Sequence, residues 1–106
     1  SAGDMTKAEL FANKALNTAN KERSEIHNVI GVIEKRKGRI RKALESFNSA
    51  QKLSKWDYRI SYNIALCLRS LNKRNEAIEC LEKILAKNPR YDKAVQMHET
   101  LKRKTA

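Results

Sequence analysis

Residues 24–57 read SEIHNVIGVIEKRKGRIRKALESFNSAQKLSKWD, and residues 58–91 read YRISYNIALCLRSLNKRNEAIECLEKILAKNPRY. Set one above the other, these two 34-residue stretches place apolar on apolar and small on small. Ile26 falls on Ile60, Ile30 on Ile64, Ile33 on Cys67, Leu44 on Ile78, Phe47 on Leu81 and Ala50 on Ile84. Gly31 falls on Ala65, and Ala43 on Ala77. Each stretch reads as two amphipathic helices. Ile26, Ile30 and Ile33 have the i, i+4, i+7 spacing of one helix face, and Leu44, Phe47 and Ala50 follow at i, i+3, i+6. Gly38 interrupts the first unit, and Asn72 interrupts the second at the same place. Gly and Asn are the residues that best tolerate the left-handed conformation ending a helix. Pro89 closes the second unit, where a helix must stop.

This 34-residue pattern resembles the tetratricopeptide repeat family. The family's small residue in the first helix falls on Gly31 and Ala65, and its alanine in the second helix on Ala43 and Ala77. Its large apolar residue falls on Phe47 and Leu81, and its closing proline on Lys55 and Pro89. Lys55, Ile84 where alanine is usual, and the absence of a tryptophan near His27 and Ser61 are departures. The resemblance implies an all-α antiparallel solenoid of helix hairpins. Small residues let the helices of a hairpin approach, and neighbours must stack because one hairpin cannot hide its own apolar face.

The flanks extend the scheme to about six helices in one domain over 6–106. Residues 6–20 form an incomplete leading repeat, with Ala8, Phe11, Ala12, Ala15, Leu16 and Ala19 on an apolar side. They look like a second repeat helix whose own first helix is missing. Thr6-Lys7-Ala8-Glu9 has the form of a capping box, with Met5 and Leu10 placed as a hydrophobic staple. Two full repeats follow at 24–57 and 58–91. Residues 92–104 read as a C-terminal capping helix with Ala94, Met97 and Leu101 apolar. Residues 1–5, opening Ser1-Ala2-Gly3, read as a cloning remnant and a disordered lead, and the chain as part of a larger scaffold or regulatory protein.

The chain has 106 residues and carries 23 Lys and Arg against 12 Asp and Glu, for a net charge of +11. Its 41% hydrophobic content is too high for a disordered tail, and three Gly and one Pro are too few for a turn-rich β domain. No apolar run approaches the roughly 18–20 residues of a membrane helix. Cys67 and Cys80 form no CxxC pair and read as reduced, buried thiols of a cytoplasmic protein. His27 and His98 are isolated, no Gly-rich phosphate loop exists, and Glu76, Glu79 and Glu82 share one helix face rather than opposing each other. The expectation is therefore no enzyme, no metal and no cofactor.

The excess charge points to acidic partners. The resemblance implies that first helices line a concave face. The positions implied to face it are Glu25, Asn28, Val32, Lys35, Arg36, Arg59, Tyr62, Leu66, Arg69, Ser70, Lys93, Gln96, Thr100, Arg103 and Lys104, with a net charge of +6. Asn28 and Asn63 would donate hydrogen bonds to a partner's backbone, and Tyr62, Leu66 and Val32 would anchor apolar side chains. The expected ligand is an acidic or amphipathic segment of a partner protein. The family's carboxylate clamp for chaperone tails is matched only at Asn63 and Lys93; Asn28, Val32 and Met97 depart from it. Two alternatives stand beside this reading: self-association or packing on a neighbouring domain, and nucleic-acid binding. Residues 35–42 hold six basic residues in eight, but no aromatic that could stack on a base. Trp56 is expected to cover the helix junction beside Asp57.

Overall fold

A computed structural model of the chain describes residues 6–103. They form five helices: α1 (Lys7–Arg36), α2 (Ile40–Leu53), α3 (Tyr58–Ser70), α4 (Arg74–Lys87) and α5 (Asp92–Arg103). Each helix packs on the next in chain order, as in a hairpin solenoid. The expected remnant at 1–5, the staple residue Met5 and the end of the chain from Lys104 lie outside the described residues.

The two intra-repeat turns follow the sequence closely. Gly38 has φ 80° and Asn72 has φ 60°. At the first, the Arg39 N–H donates to the Glu34 carbonyl at 2.9 Å; at the second, one period later, Lys73 N–H donates to Leu68 at 2.8 Å. Both are the six-residue closure of a helix end through a left-handed residue. Asp57 caps α3, its carboxylate accepting from the Arg59 N–H at 3.0 Å.

The helix count differs from expectation, five rather than six. Thr6 caps α1 as expected, its hydroxyl accepting from the Glu9 N–H at 3.2 Å. The helix then runs without interruption from Lys7 to Arg36, fusing the leading segment with the first helix of the first repeat. No Gly or Pro stands between Asn20 and Ser24 to break it, and Lys21, Glu22 and Arg23 all sit comfortably in a helix. Ser24, which could have capped a new helix, is 1% exposed and donates instead to the Ala50 carbonyl at 3.0 Å. That carbonyl also accepts from the Ser54 N–H at 3.0 Å. Because it keeps this second donor, Ser24→Ala should cost only about 1 kcal/mol, the ordinary net worth of one hydrogen bond. Urea unfolding would check this; a loss several times larger would mean that Ser24 fixes the helix crossing as well.

The core follows the small-on-large pattern of the repeats. Ala43, Phe47, Ala50, Ile60, Ala65, Cys67, Ala77, Leu81 and Ala94 are all fully buried. Gly31 is buried against the ring of Phe47. One part of the expectation fails. Ile60, Ile64 and Cys67 are buried, but their counterparts Ile26, Ile30 and Ile33 are 59%, 42% and 45% exposed. The cause is the continuity of α1. In a stacked array, the first helix of a repeat buries this face against the helix before it. For α3 that helix is α2. Residues 7–20 do not fold back to serve α1, and Ala8, Phe11, Ala12, Ala15, Leu16 and Ala19 are exposed with them.

Candidate functional site

Four contacts set α1, α3 and the residue preceding α5 side by side. The Asn63 side-chain amide donates to the Asn28 side-chain carbonyl at 3.1 Å. The Arg59 guanidinium bridges Glu25 of α1 and Asp57, with 2.9 Å to the Asp57 carboxylate. The ring of Tyr62 meets that of Tyr91 edge-on, with centroids 6.1 Å apart. Tyr58 is also near Tyr91, its ring tilted at 57° with centroids 6.5 Å apart.

These contacts sort the sequence-derived groove residues. Val32, Tyr62 and Leu66 are half-buried and pack on the core, leaving part of each side chain open. Lys35 is half-buried, and its charge offsets part of the rise that burial imposes on the Cys67 thiol. Arg36, Arg69, Lys93 and Gln96 are exposed. Among the described residues, Lys35, Arg36, Arg69 and Lys93 make no ion pair, whereas Arg59 makes two. The hydrogen bond to Asp57, and then that to Glu25, hold Arg59 firmly in its charged form. The same Arg59 contact holds the Asp57 carboxyl below its usual range. Arg59 is therefore a neutralised strut between the repeats rather than a free positive charge. Asn28 and Asn63 also spend hydrogen-bonding capacity on each other. The Arg59–Glu25 pairing was legible in the repeat itself: the two residues stand one period of 34 apart, and residues one period apart become neighbours when repeats stack.

A separate concavity lies elsewhere. A cavity of about 780 Å³ opens between α2, α3 and α4, lined among others by Gln51, Trp56, Ser61, Cys80, Lys83 and Lys87. Trp56 does not cover the helix junction: it is 70% exposed at the mouth of this cavity, with Lys87 Nζ 5.2 Å above its ring. Inside, the Cys80 thiol donates to the Ser61 carbonyl at 3.2 Å, and burial raises its pKa. A second cavity of about 650 Å³ lies beside Asn17, Asn20 and Tyr91 and includes Arg59. Neither Trp56 nor Tyr91 was singled out as a site residue from sequence. Each immediately precedes the aspartate at the start of the next helix, Asp57 and Asp92, and that recurrence was the available signal.

His98 of α5 is paired with Glu82 of α4, Nε2 to carboxylate 3.1 Å. Both cysteines are free thiols. Among the described residues no helix is long and apolar enough to cross a membrane.

Comparison with curated proteins returned no match. A family model described as tetratricopeptide repeat matches residues 36–102, more than half of the chain. With its paired helices, its left-handed turns one period apart and its small-on-large core, the chain belongs to the tetratricopeptide repeat family.

Proposed function

We propose that this chain is a non-catalytic interaction module whose α1–α3–α5 face takes an acidic, amphipathic segment of a partner protein. Tetratricopeptide repeats generally mediate protein–protein interaction. The observation that carries the finer reading is the distribution of paired and unpaired charge. Lys35, Arg36, Arg69 and Lys93 make no ion pair among the described residues, and they lie on the same group of helices, α1, α3 and α5, as the half-buried Val32, Tyr62 and Leu66. A ligand with carboxylates flanking one or two apolar side chains would meet both needs at once. Arg59, already neutralised, contributes structure to this face rather than affinity.

The test is fluorescence anisotropy with a labelled peptide alternating Asp or Glu with Leu or Phe. The peptide should bind, and binding should weaken as salt screens the exposed lysines and arginines. Combining Arg69→Glu with Lys35→Glu should weaken it at least tenfold. An unchanged affinity in that variant, or equal binding of a lysine-substituted peptide, would remove the basis for this reading.

A further inference from the structure

The exposed face of α1 is ordered in a way that a merely unfinished repeat does not require. Ala8, Ala12, Ala15, Ala19, Glu22, Ile26, Val29 and Ile33 are spaced 4, 3, 4, 3, 4, 3 and 4 residues apart. That is an unbroken heptad seam, apolar at every position but Glu22. All eight residues are exposed, on the side of α1 opposite the buried Ser24 and Gly31. Phe11, 76% exposed, and Ile30 flank the seam. At a rise of 1.5 Å per residue it extends roughly 38 Å, an apolar strip of roughly 400 Å² in plan, as large as the biggest patches monomers usually leave open.

The seam also has a size gradient: its first half is alanine, and its second half is Glu22 followed by isoleucine and valine. From these two facts we infer that α1 pairs with α1 of a second copy, antiparallel, as a two-stranded coiled coil. Reversal about the point between Asn20 and Lys21 sets Ala8 against Ile33, Ala12 against Val29, Ala15 against Ile26 and Ala19 against Glu22 of the other copy. Every small residue then faces a longer one, and the two seam positions alternate across the interface as antiparallel packing demands. In the same register Phe11 of one copy and Ile30 of the other come to the same level, on opposite edges of the seam. A parallel pair would set alanine on alanine at one end and isoleucine on isoleucine at the other, and no single helix separation suits both.

Charge supports the same occupant. Over residues 7–33, four basic residues, Lys7, Lys14, Lys21 and Arg23, stand against three acidic ones, Glu9, Glu22 and Glu25. This strip is close to neutral in a chain of net charge +11, so a highly charged ligand gains little there and a second α1 is not repelled. The antiparallel arrangement also holds the two basic bodies at opposite ends of the paired helices, where their mutual repulsion is weakest. It gives the leading half of α1 its structural place: residues 7–20 of one copy lie on Ile26, Val29 and Ile33 of the other. There they stand as the preceding second helix of a stacked array, the role their alanine spacing resembles. This pairing is independent of the α1–α3–α5 face.

Sedimentation equilibrium on the chain should show a dimer at micromolar concentration. Ile26→Glu alters a side chain already open to water in the single copy, so helicity by circular dichroism should be unchanged while the dimer dissociation constant rises at least 100-fold. The combined variant Ala15→Cys and Ile26→Cys should form a disulfide-linked dimer on oxidation, with peptide mapping placing the bridge between positions 15 and 26. Ala15→Cys alone should not, because the two copies of position 15 would lie well apart. A chain that stays monomeric at every accessible concentration, leaving the face to a preceding helix of a longer protein, overturns the inference. So does a dimer indifferent to Ile26→Glu, or cross-linking through Ala15→Cys alone.

Discussion

Phe47→Ala should destabilise the chain by about 3–5 kcal/mol, the usual cost of deleting a buried phenylalanine side chain. Phe47 is fully buried on α2, with its ring against Gly31 of α1. Removing it leaves a cavity that the glycine, having no side chain, cannot fill. A domain of this size has a total stability of about 5–15 kcal/mol, so the loss is a large fraction of the whole. The damage should also be local. Each hairpin of a solenoid contacts only its neighbours, and the family's stability is close to a sum of repeat and interface terms. Amide exchange in the second half of α1 and in α2 should therefore accelerate far more than in α3, α4 and α5. Denaturant unfolding gives the first number and exchange measured by mass spectrometry the second. A cost below about 1 kcal/mol would mean that α1 collapses onto α2 to fill the space.

Where sequence reading succeeded, the residue type was dictated by backbone geometry or by close approach. A left-handed φ admits few residues, so Gly38 and Asn72 marked both turns without ambiguity. Fully buried alanines at Ala43, Ala65 and Ala77 marked helix crossings for the same steric reason. Reading failed where the deciding quantity was a choice between two satisfactory partners. Ser24 could cap a helix or bond a distant carbonyl, and only the packed structure decides for Ala50. The apolar face of α1 was plain from its spacing, but spacing does not say whether a face is covered. Ile26 and Ile60 have the same pattern and opposite exposure. The charge expected of a groove was legible as a composition of residues, not as free charge. Arg59 counts as one of its cations until Glu25, one period upstream, is seen to neutralise it.

Gly31→Ala should be destabilising by about 1–3 kcal/mol, although alanine is the better helix former by about 1 kcal/mol. A Cβ at Gly31 would lie 2.5 Å from Phe47 Cε1, 2.6 Å from Cδ1 and 2.9 Å from Cζ. Those distances are far inside van der Waals contact, and the fully buried ring has little room to retreat. The second repeat shows how the same crossing is built with a different division of volume. There alanine, as Ala65, replaces the glycine and leucine, as Leu81, replaces the phenylalanine, and both are fully buried. Importing that pair whole should therefore rescue the first repeat. Phe47→Leu alone should cost stability by opening a void. In its presence Gly31→Ala should become neutral or stabilising, because the overlap is gone while the helix-propensity gain remains. The coupling is read from a double-mutant cycle of unfolding free energies. Additivity of the two substitutions would show that Gly31 and Phe47 do not compete for one volume, and that the small residue of the first helix serves some purpose other than admitting the ring.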